Sequence, residues 1–390
     1  MRTPITVIGG GLAGLTAAIA CAEKGAPVIL LESHDILGGR ARSTDRPYVV
    51  NEGPHAFYSD GEPFHWLAER KLVQPFAQQT VGTLMRSRFR HRGRLIAVPP
   101  VPLMRMLARR SAVAPVDLDF ETWATERFGT AAAQAACGFM GVVTYSAEVS
   151  RLSAAFVWER LLRVGAPRKP SVRYPVGGWS RVIERMAGHA RSLGVQITTG
   201  VRADTLPEAP VIVATGLDTA RTLLGDDTLR WTSGHAVLLD LSLRSNRDDL
   251  FLVSDLDAGA FVEQFSMIDP SLAPAGHSVV QAALPTHDDE QRAEAMGRLE
   301  QVVELGMPGW RERVAWRREA SARGRTGALD LPGETWADRP AIERGDGVWL
   351  IGDSVAAPGI LSEVAVNSAR TAARAAVRAT ATGSGHTQPA

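Results

Sequence analysis

The residues GGGLAG at positions 9–14 have the glycine spacing of a turn that binds a dinucleotide. Gly9 would permit the tight turn, Gly11 would let the backbone approach a pyrophosphate, and Gly14 would let a helix pack closely on the preceding strand. The phosphates would then lie at the positive end of the helix dipole. Glu32 follows about 20 residues later, where a carboxylate can accept hydrogen bonds from ribose hydroxyls. The pattern predicts a dinucleotide site.

The flanking sequence supplies the elements that such a turn requires. Thr3–Ile8 is a β-branched apolar run typical of a buried parallel strand, Ala13–Lys24 is an Ala-rich helix former, and Val28–Leu31 predicts a second strand. These three segments form a βαβ unit. Strong strand signals recur at Val211–Ala214 and Val348–Ile351. We therefore expect one nucleotide-binding domain assembled from three separated segments, with a second domain inserted between them.

Composition limits the class of protein. Of 390 residues, 45% are hydrophobic and 22% charged, which is typical of a soluble globular protein with a sizeable core. The net charge of +1 gives no overall field that would indicate nucleic acid binding. Two cysteines, Cys21 and Cys137, exclude a disulfide framework and fit a reducing compartment. No apolar run reaches the ~18 residues of a spanning helix, so we expect a cytoplasmic protein.

Two further segments extend the first motif. SHDILGGRARS, which contains Gly38, Gly39 and Arg40, follows Glu32 directly, and Val348–Ala375 again runs strand, acidic turn, loop, helix. Together with GGGLAG, these segments resemble the FAD-binding pattern of the superfamily of flavin amine oxidases, phytoene desaturases and protoporphyrinogen oxidases. Three internal segments also resemble segments of that superfamily: Tyr174–Met186 (PxGG), Val211–Gly216 (ATG) and Phe120–Leu161 (the substrate-domain signature).

The resemblance implies an α/β fold class, with an FAD-binding Rossmann-like domain around a parallel sheet and an inserted α+β substrate domain. We expect the discontinuous FAD-binding domain to comprise residues 1–80, 171–230 and 337–380. The substrate-binding domain would then comprise residues 81–170 and 231–336, and residues 381–390 would form a flexible tail.

The resemblance also implies roles for particular residues. Glu32 would bind the adenosine ribose, and Arg40 would lie along the FAD phosphates. Val201 would meet the adenine through its backbone, and Asp353 would bind the ribityl–pyrophosphate part. The segment 359–363 would run beside the isoalloxazine ring. The residues expected to bind the cofactor are Gly9, Gly11, Leu12, Ala13, Gly14, Glu32, Ser33, Gly39, Arg40, Gly53, Pro54, His55, Val201, Gly352, Asp353, Ile360 and Leu361.

A helix beside the flavin would influence its chemistry. Ser362 is expected to be the N-cap of a helix through Val364–Arg374. A helix N-terminus aimed at the flavin N1–C2=O edge would stabilise the negative charge of reduced flavin and raise its potential. No cysteine lies near this motif, so FAD is expected to be held non-covalently.

No motif identifies a catalytic group. His55, in NEGPHAF, resembles the superfamily's segment near the flavin and is the one candidate, although a lone histidine is usually structural. No histidine or cysteine pair has metal-ligand spacing, so no metal is expected. Many amine oxidases of this superfamily hold a water near flavin N5 with a lysine from the second half of the chain. Here no lysine follows Lys169, which favours the desaturase-like branch.

We therefore predict an FAD-dependent oxidoreductase, either a dehydrogenase/desaturase or an oxidase, that takes a hydride from a largely apolar small molecule onto flavin N5. The alternatives are a flavin amine oxidase and a non-redox flavin-dependent isomerase or dehydroxylase. A non-enzymatic binding protein of the same fold is disfavoured by the retained Arg40 and Asp353 motifs. Oligomeric state and electron acceptor stay open.

Residues 70–116 carry a charge asymmetry that the net charge conceals, with nine arginines, one lysine and no acidic residue. Between residues 86 and 92, arginine alternates with other residues, which predicts a strand with arginine along one face. Arg92–Gly93 then predicts a turn, and Leu95–Val98 a return strand. The arginines either pair with acids elsewhere in the fold or form an electropositive surface for an anionic membrane or an anionic substrate.

Overall fold

The computed structural model describes residues 3–53, 55–165 and 171–383. Within these ranges the chain forms strands β1 (Ile5–Ile8), β2 (Val28–Leu31), β3 (Phe57–Tyr58), β4 (Phe76–Ala77), β5 (Ser87–His91), β6 (Arg94–Ile96), β7 (Val172–Pro175), β8 (Gln196–Thr198), β9 (Val211–Val213), β10 (Ser233–Arg244), β11 (Leu252–Asp255), β12 (Ala260–Glu263), β13 (His277–Pro285), β14 (Val314–Ala328) and β15 (Val348–Leu350).

The helices of the same ranges are α1 (Leu12–Ala22), α2 (Glu62–Glu69), α3 (Val81–Met85), α4 (Val101–Ala108), α5 (Phe120–Phe128), α6 (Thr130–Thr144), α7 (Ala154–Gly165), α8 (Trp179–Ser192), α9 (Leu217–Leu224), α10 (Arg292–Gly306) and α11 (Ser362–Gly383). Short 3-10 helices form at Val149–Arg151, Phe265–Met267, Pro270–Leu272, Trp310–Arg313 and Trp336–Asp338. None of the described helices combines the length and the apolar character that crossing a bilayer requires.

A five-stranded parallel sheet, with the order β15–β9–β1–β2–β8, brings together distant parts of the chain. Its strands are short apolar runs, as expected of a parallel sheet covered on both faces. In β1, for example, Ile5 and Val7 are fully buried. Central strand β1 pairs with β2, its near neighbour in sequence, and with β9, about half the chain away. The sheet therefore exists only when all three separated segments have come together.

Helix α1 is the core of this layer. Its ten residues from Leu12 to Cys21 are all buried, and it packs against α8 and α11. Alanine and glycine dominate its sequence, which keeps its surface smooth enough for close contact on several sides. Gly14 shows how close the contact is, because a Cβ built there would lie 1.8 Å from the carbonyl oxygen of Gly9. Only glycine fits at this position.

A second sheet has seven strands in the order β14–β10–β13–β12–β11–β5–β6. Its pairs are antiparallel except for β5 with β11. Helix α10 packs its apolar residues on this sheet, while α4–α7 share a separate helical core. The predicted α/β fold class, with a parallel Rossmann-like sheet, is confirmed. The domain boundaries stay a prediction.

The structure corrects two expected boundaries. Helix α11 continues through residues 381–383, which were expected to belong to a flexible tail; the remainder of that tail, residues 384–390, lies outside the described residues. Helix α1 ends at Ala22 rather than Lys24, because Gly25 adopts φ +74° and the chain turns there toward β2.

We predict that Gly14→Ala lowers the free energy of unfolding by at least about 1–3 kcal/mol, because the added Cβ must displace the backbone of Gly9. Gly188→Ala is the matched control, since Gly188 is an exposed position in α8 where a Cβ meets no atom within 4 Å. That control should raise the free energy of unfolding by up to about 1 kcal/mol. Denaturant unfolding of both variants measures the difference, and equal stabilities would contradict the close contact.

Candidate dinucleotide site

The predicted site residues follow the carboxyl ends of the parallel strands. Gly9 follows β1, Glu32 follows β2, Thr215 lies two residues after β9, and Asp353 lies three residues after β15. Because the strands are parallel, these four ends lie along one edge of the sheet, where ligands of open α/β sheets bind.

Two glycine segments lie against each other at this edge. Gly38 donates its N–H to the carbonyl oxygen of Gly10 at 2.9 Å, and Gly11 and Gly38 form an isolated parallel bridge. A Cβ on Gly39 would lie 3.7 Å from the Cα of Gly11. A Cβ on Gly11 would meet only the carbonyl oxygen of Gly38, at 3.7 Å. The turn is thus fastened on one side and leaves space beside Gly11.

The start of α1 suits an anionic ligand. Its N-cap residue, Gly11, has no side chain to accept from the first turn, and helix geometry leaves the first N–H groups without intrahelical partners. Leu12 and Ala13, the first residues of the helix, are each only 8% exposed. A buried helix start without a cap requires a polar partner, and a phosphate group would supply one. The residues present therefore fit a dinucleotide pyrophosphate.

Glu32 is buried and held by its neighbours. Its carboxylate accepts the N–H of Gly10 at 2.7 Å and the N–H of His34 at 2.9 Å. Burial opposes ionisation, but these hydrogen bonds outweigh it and keep the pKa of Glu32 below its ordinary value. Ser33 lies beside it, with its hydroxyl 3.3 Å from Oε1. Val201 donates its N–H to the carbonyl oxygen of Glu32 at 2.9 Å, so that amide is already engaged within the protein.

Arg40 and Asp353 form a bidentate ion pair across 313 positions of sequence, with N···O distances of 2.6 and 2.8 Å. Arg40 also donates to the carbonyl oxygen of Arg325 at 2.9 Å, and so bridges the glycine segment to β14. Burial would raise the pKa of Asp353, but the charge of Arg40 outweighs this and lowers it. The pair brings the Gly38–Arg40 segment and the turn that contains Asp353 together.

The chain around Gly53, just before β3, packs on the backbone of Arg40. A Cβ built on Gly53 would lie 2.5 Å from the carbonyl oxygen of Arg40. Pro54 lies outside the described residues. The ring of His55 stacks on Phe265 with centroids 4.9 Å apart, and it meets Phe261 edge-on at 5.9 Å. Burial lowers the pKa of His55 to about 4, so this imidazole is neutral at pH 7.

The carboxyl-terminal segment departs from the expected cap. Helix α11 begins at Ser362 itself, so Leu361 occupies the N-cap position and Ser362 is not the cap. Leu361 has φ +53°, a left-handed conformation that is strained for a bulky residue. The N–H of Ile360 donates to Glu363 Oε2 at 3.0 Å. Glu363 thus accepts the N–H of a residue that precedes the helix, whereas an N-cap side chain would accept an N–H of the first helical turn.

Glu363 belongs to an ion-pair network that the motif analysis missed. Its two oxygens accept from Arg163 of α7 at 2.6 and 2.7 Å, and Arg163 also reaches Asp60 at 2.7 Å. The network joins α7 to the start of α11 and to the turn before α2. Glu363 was recognisable as an acid next to the expected cap, whereas nothing in the sequence links it to Arg163, which is 200 positions away.

Glu263 is a buried carboxyl close to the His55 cluster. It accepts a hydrogen bond from the hydroxyl of Tyr174 at 2.9 Å, and Tyr174 packs edge-on against Phe265. Burial raises the pKa of Glu263 to about 8, and the hydrogen bond from Tyr174 offsets only part of that effect. The sequence did not indicate this group, because an acidic residue in a strand pattern gives no signal that its side chain is buried.

Comparisons with known proteins agree with this architecture. Residues 7–69 match the family of NAD(P)-binding Rossmann-like domains. No curated protein matches the chain in sequence. An oxidoreductase from Methanosarcina mazei has a similar structure, with a TM-score of 0.76 and 16% identity over 95% of this chain and 99% of that one.

Two other solved structures share the fold. Cyclohexylamine oxidase from Brevibacterium oxydans has a TM-score of 0.72 and 13% identity, over 97% of this chain and 99% of its own. Reduced UDP-galactopyranose mutase has a TM-score of 0.63 and 16% identity, over 85% of each chain. At these identities the likeness shows the fold alone, and the predicted resemblance to the flavin amine oxidase-like superfamily is confirmed at that level.

We predict that Glu263→Gln changes how stability depends on pH. The folded-state pKa of Glu263, about 8, lies above the ordinary value of 4.5, so its stabilising contribution is complete below pH 4.5 and is lost as pH rises through 8. The amide cannot ionise. The melting temperature of Glu263→Gln should therefore rise relative to that of wild type as the pH is raised from 5 to 8.

Glu126→Gln, at an exposed position of α5, is the matched control and should follow the wild-type profile. Parallel wild-type and Glu263→Gln profiles across this pH range would contradict the assignment of a raised pKa to Glu263.

Proposed function

We propose that the chain is an FAD-dependent oxidoreductase that removes a hydride from a largely apolar organic substrate. The observation that carries the proposal is the meeting, at one sheet edge, of the glycine turn, the Gly38–Arg40 segment and Asp353. A Rossmann-like turn alone would accommodate a nicotinamide dinucleotide equally well. The involvement of the carboxyl-terminal segment, tied to Arg40, favours the longer FAD pattern that the sequence resembles.

In this proposal Gly11 and the start of α1 would hold the pyrophosphate, and Glu32 would hold the ribose. Arg40 and Asp353 would lie along the phosphates and the ribityl chain. When bound, FAD would accept a hydride, and with it two electrons, at flavin N5. The protein's part is to bind and orient the substrate and to exclude water, with segment 359–363 beside the isoalloxazine ring.

The substrate class rests on the residue types that the chain offers. No lysine follows Lys169, so an amine oxidation that depends on such a lysine is disfavoured. We therefore favour dehydrogenation or oxidation of an apolar molecule, with residues 81–170 and 231–336 as the substrate domain. A non-redox isomerisation is the second candidate, supported by the likeness to UDP-galactopyranose mutase.

A surface between residues 81 and 113 suggests a membrane partner. It exposes several large apolar side chains: Val81 (75%), Met85 (73%), Val98 (59%), Val101 (51%) and Val113 (88%). Arg90 pairs with Asp255 at 2.9 Å, which fits the interpretation that these arginines pair with acids elsewhere in the fold. For Arg105, Arg109 and Arg110, the described residues provide no ion-pair partner. Apolar and cationic side chains together fit an anionic lipid surface, so we propose peripheral membrane contact by a cytoplasmic protein.

We predict that the purified protein is yellow and releases FAD on denaturation. Gly11→Val should weaken FAD binding at least about tenfold, because a side chain at Gly11 blocks the approach of the pyrophosphate to the backbone. Gly11 has φ −77° and space for a Cβ, so the variant should still fold. Gly188→Val is the control and should retain FAD. Fluorescence titration of the apoproteins measures both affinities, and a protein that never binds FAD would disprove the proposed function.

We also predict that the protein sediments with anionic vesicles and not with neutral ones. Binding should fall as added salt shortens the Debye length to about 8 Å at physiological strength. The double variant Arg109→Glu/Arg110→Glu should lose most of its binding to anionic vesicles. Arg191→Glu, at an exposed position of α8, should not. Equal binding to both vesicle types would leave no role for the charged surface.

A further inference from the structure

Four polar side chains form a row across the seven-stranded sheet, on the face that packs against the segment before β3. Glu263 of β12 lies opposite Gln281 of β13. Gln281 lies opposite Asp240 of β10, which in turn lies opposite Arg318 of β14. Cross-strand partners of an antiparallel sheet share one face. Gln281 also donates to the carbonyl oxygen of Asn51 at 2.9 Å, so the row adjoins the segment expected to bind the flavin.

The charges at the Arg318 end of the row neutralise each other. Asp240 accepts two hydrogen bonds from Arg318, at 2.9 and 2.7 Å, and one from Gln281 at 2.8 Å. At the other end, the described part of the chain places no cation within ion-pair distance of Glu263. An ionised Glu263 would therefore be a buried charge without a counter-charge, which costs far more free energy than a neutral carboxyl group.

The hydrogen bonds of Glu263 show which oxygen carries its proton. Gln79 donates to the hydroxyl oxygen of Tyr174 at 3.2 Å, and Tyr174 in turn donates to Glu263 Oε1 at 2.9 Å. Oε1 is thus engaged as an acceptor. Oε2 accepts no hydrogen bond from any residue that the structure describes. The proton of the neutral acid therefore belongs on Oε2.

Aromatic rings connect Glu263 with His55. Phe261 lies two positions before Glu263 on β12, so both side chains point to the same face of the sheet. His55 meets the ring of Phe261 edge-on and stacks on Phe265, and Tyr174 packs on Phe265 with centroids 5.8 Å apart. Burial keeps both His55 and Tyr174 uncharged at pH 7. In such apolar surroundings, a charge at the expected flavin position would act strongly on Glu263.

We propose that Glu263 takes up the proton that the substrate loses when its hydride goes to the flavin. This inference rests on the proposed function. Dehydrogenation breaks two bonds from the substrate to hydrogen. One hydrogen leaves as hydride, with both electrons of its bond, and the other leaves as a proton. That proton forms an O–H bond with Oε2 of the ionised carboxylate, and the electron pair it leaves behind forms the new double bond.

The environment of Glu263 suits this role. A proton acceptor works best when its pKa lies near the working pH, and burial raises the pKa of Glu263 to about 8. Reduced flavin carries a negative charge at alkaline pH, and a nearby negative charge raises the pKa of a carboxyl group further. Reduction of the flavin should therefore draw a proton onto Glu263 at a pH where the oxidised protein has lost it.

The test needs no substrate. The purified holoprotein is reduced electrochemically in weakly buffered solution, and a pH-indicator dye measures the protons taken up per flavin. Infrared difference spectra between the reduced and oxidised protein detect the C=O band of a carboxylic acid. The variants are Glu263→Gln, which cannot ionise, and Tyr174→Phe, which removes the hydrogen bond to Oε1. Glu126→Gln, at an exposed position of α5, is the matched control.

Between pH 8 and pH 9 we expect wild type to take up more protons per flavin than Glu263→Gln, by up to about one proton. Near pH 6 their uptake should be equal, because Glu263 is protonated before and after reduction. At pH 9 wild type should gain a carboxylic acid band on reduction that Glu263→Gln lacks. Tyr174→Phe should move the extra uptake to higher pH, because the hydrogen bond from Tyr174 lowers the pKa of Glu263. Glu126→Gln should match wild type throughout.

Equal proton uptake by wild type and Glu263→Gln at every pH, in proteins that hold flavin, would overturn the proposal and leave the proposed function intact. A carboxyl group with only a structural role would give that result. A wild-type protein that binds no flavin would refute the proposed function, and this role of Glu263 with it. If Glu263→Gln does not fold or does not bind flavin, Tyr174→Phe carries the comparison, and an unshifted pH dependence of its uptake would overturn the proposal.

Discussion

The close contact between α1 and β1 is the constraint on which the rest of the structure depends. Because Gly14 has no side chain, the helix lies against the backbone of Gly9, and its first turn points along the sheet edge. Helices α8 and α11 then pack on the buried flanks of α1, and so their positions are determined by it. The positions of the glycine turn, its open side and the start of α11 relative to one another are consequently fixed by α1.

Ion pairs between distant segments also fix the relative positions of these elements. Arg40 with Asp353 and Arg163 with Glu363 each join parts of the chain that are hundreds of positions apart. Partly buried pairs of this kind add little net stability, because desolvation offsets their attraction. They do discriminate against other arrangements, since a shifted helix would leave charges unpaired in a low-dielectric setting.

The parts of the fold that the sequence predicts are those with local causes. The turn at 9–14, the apolar strand runs and the hairpin around Arg92–Gly93 each follow from a few neighbouring residues, and the structure has all three. The prediction of an N-cap at Ser362 was wrong, because Leu361 adopts a left-handed backbone conformation that its residue type disfavours. Arg163 with Glu363, and the burial of Glu263, depend on tertiary contacts that no short pattern encodes.

The arrangement of the five-stranded sheet has a consequence for biosynthesis. Strand β1 leaves the ribosome before its partner β9, which comes after residue 210, and before β15, which comes after residue 347. Until then, the early strands expose an apolar edge, and non-local pairing of this kind forms slowly. The nucleotide edge is thus completed only after β15 has emerged, although the glycine turn at its centre is translated much earlier. A nascent chain that has not yet reached β15 therefore presents apolar surface and an unpaired strand edge, which favour aggregation.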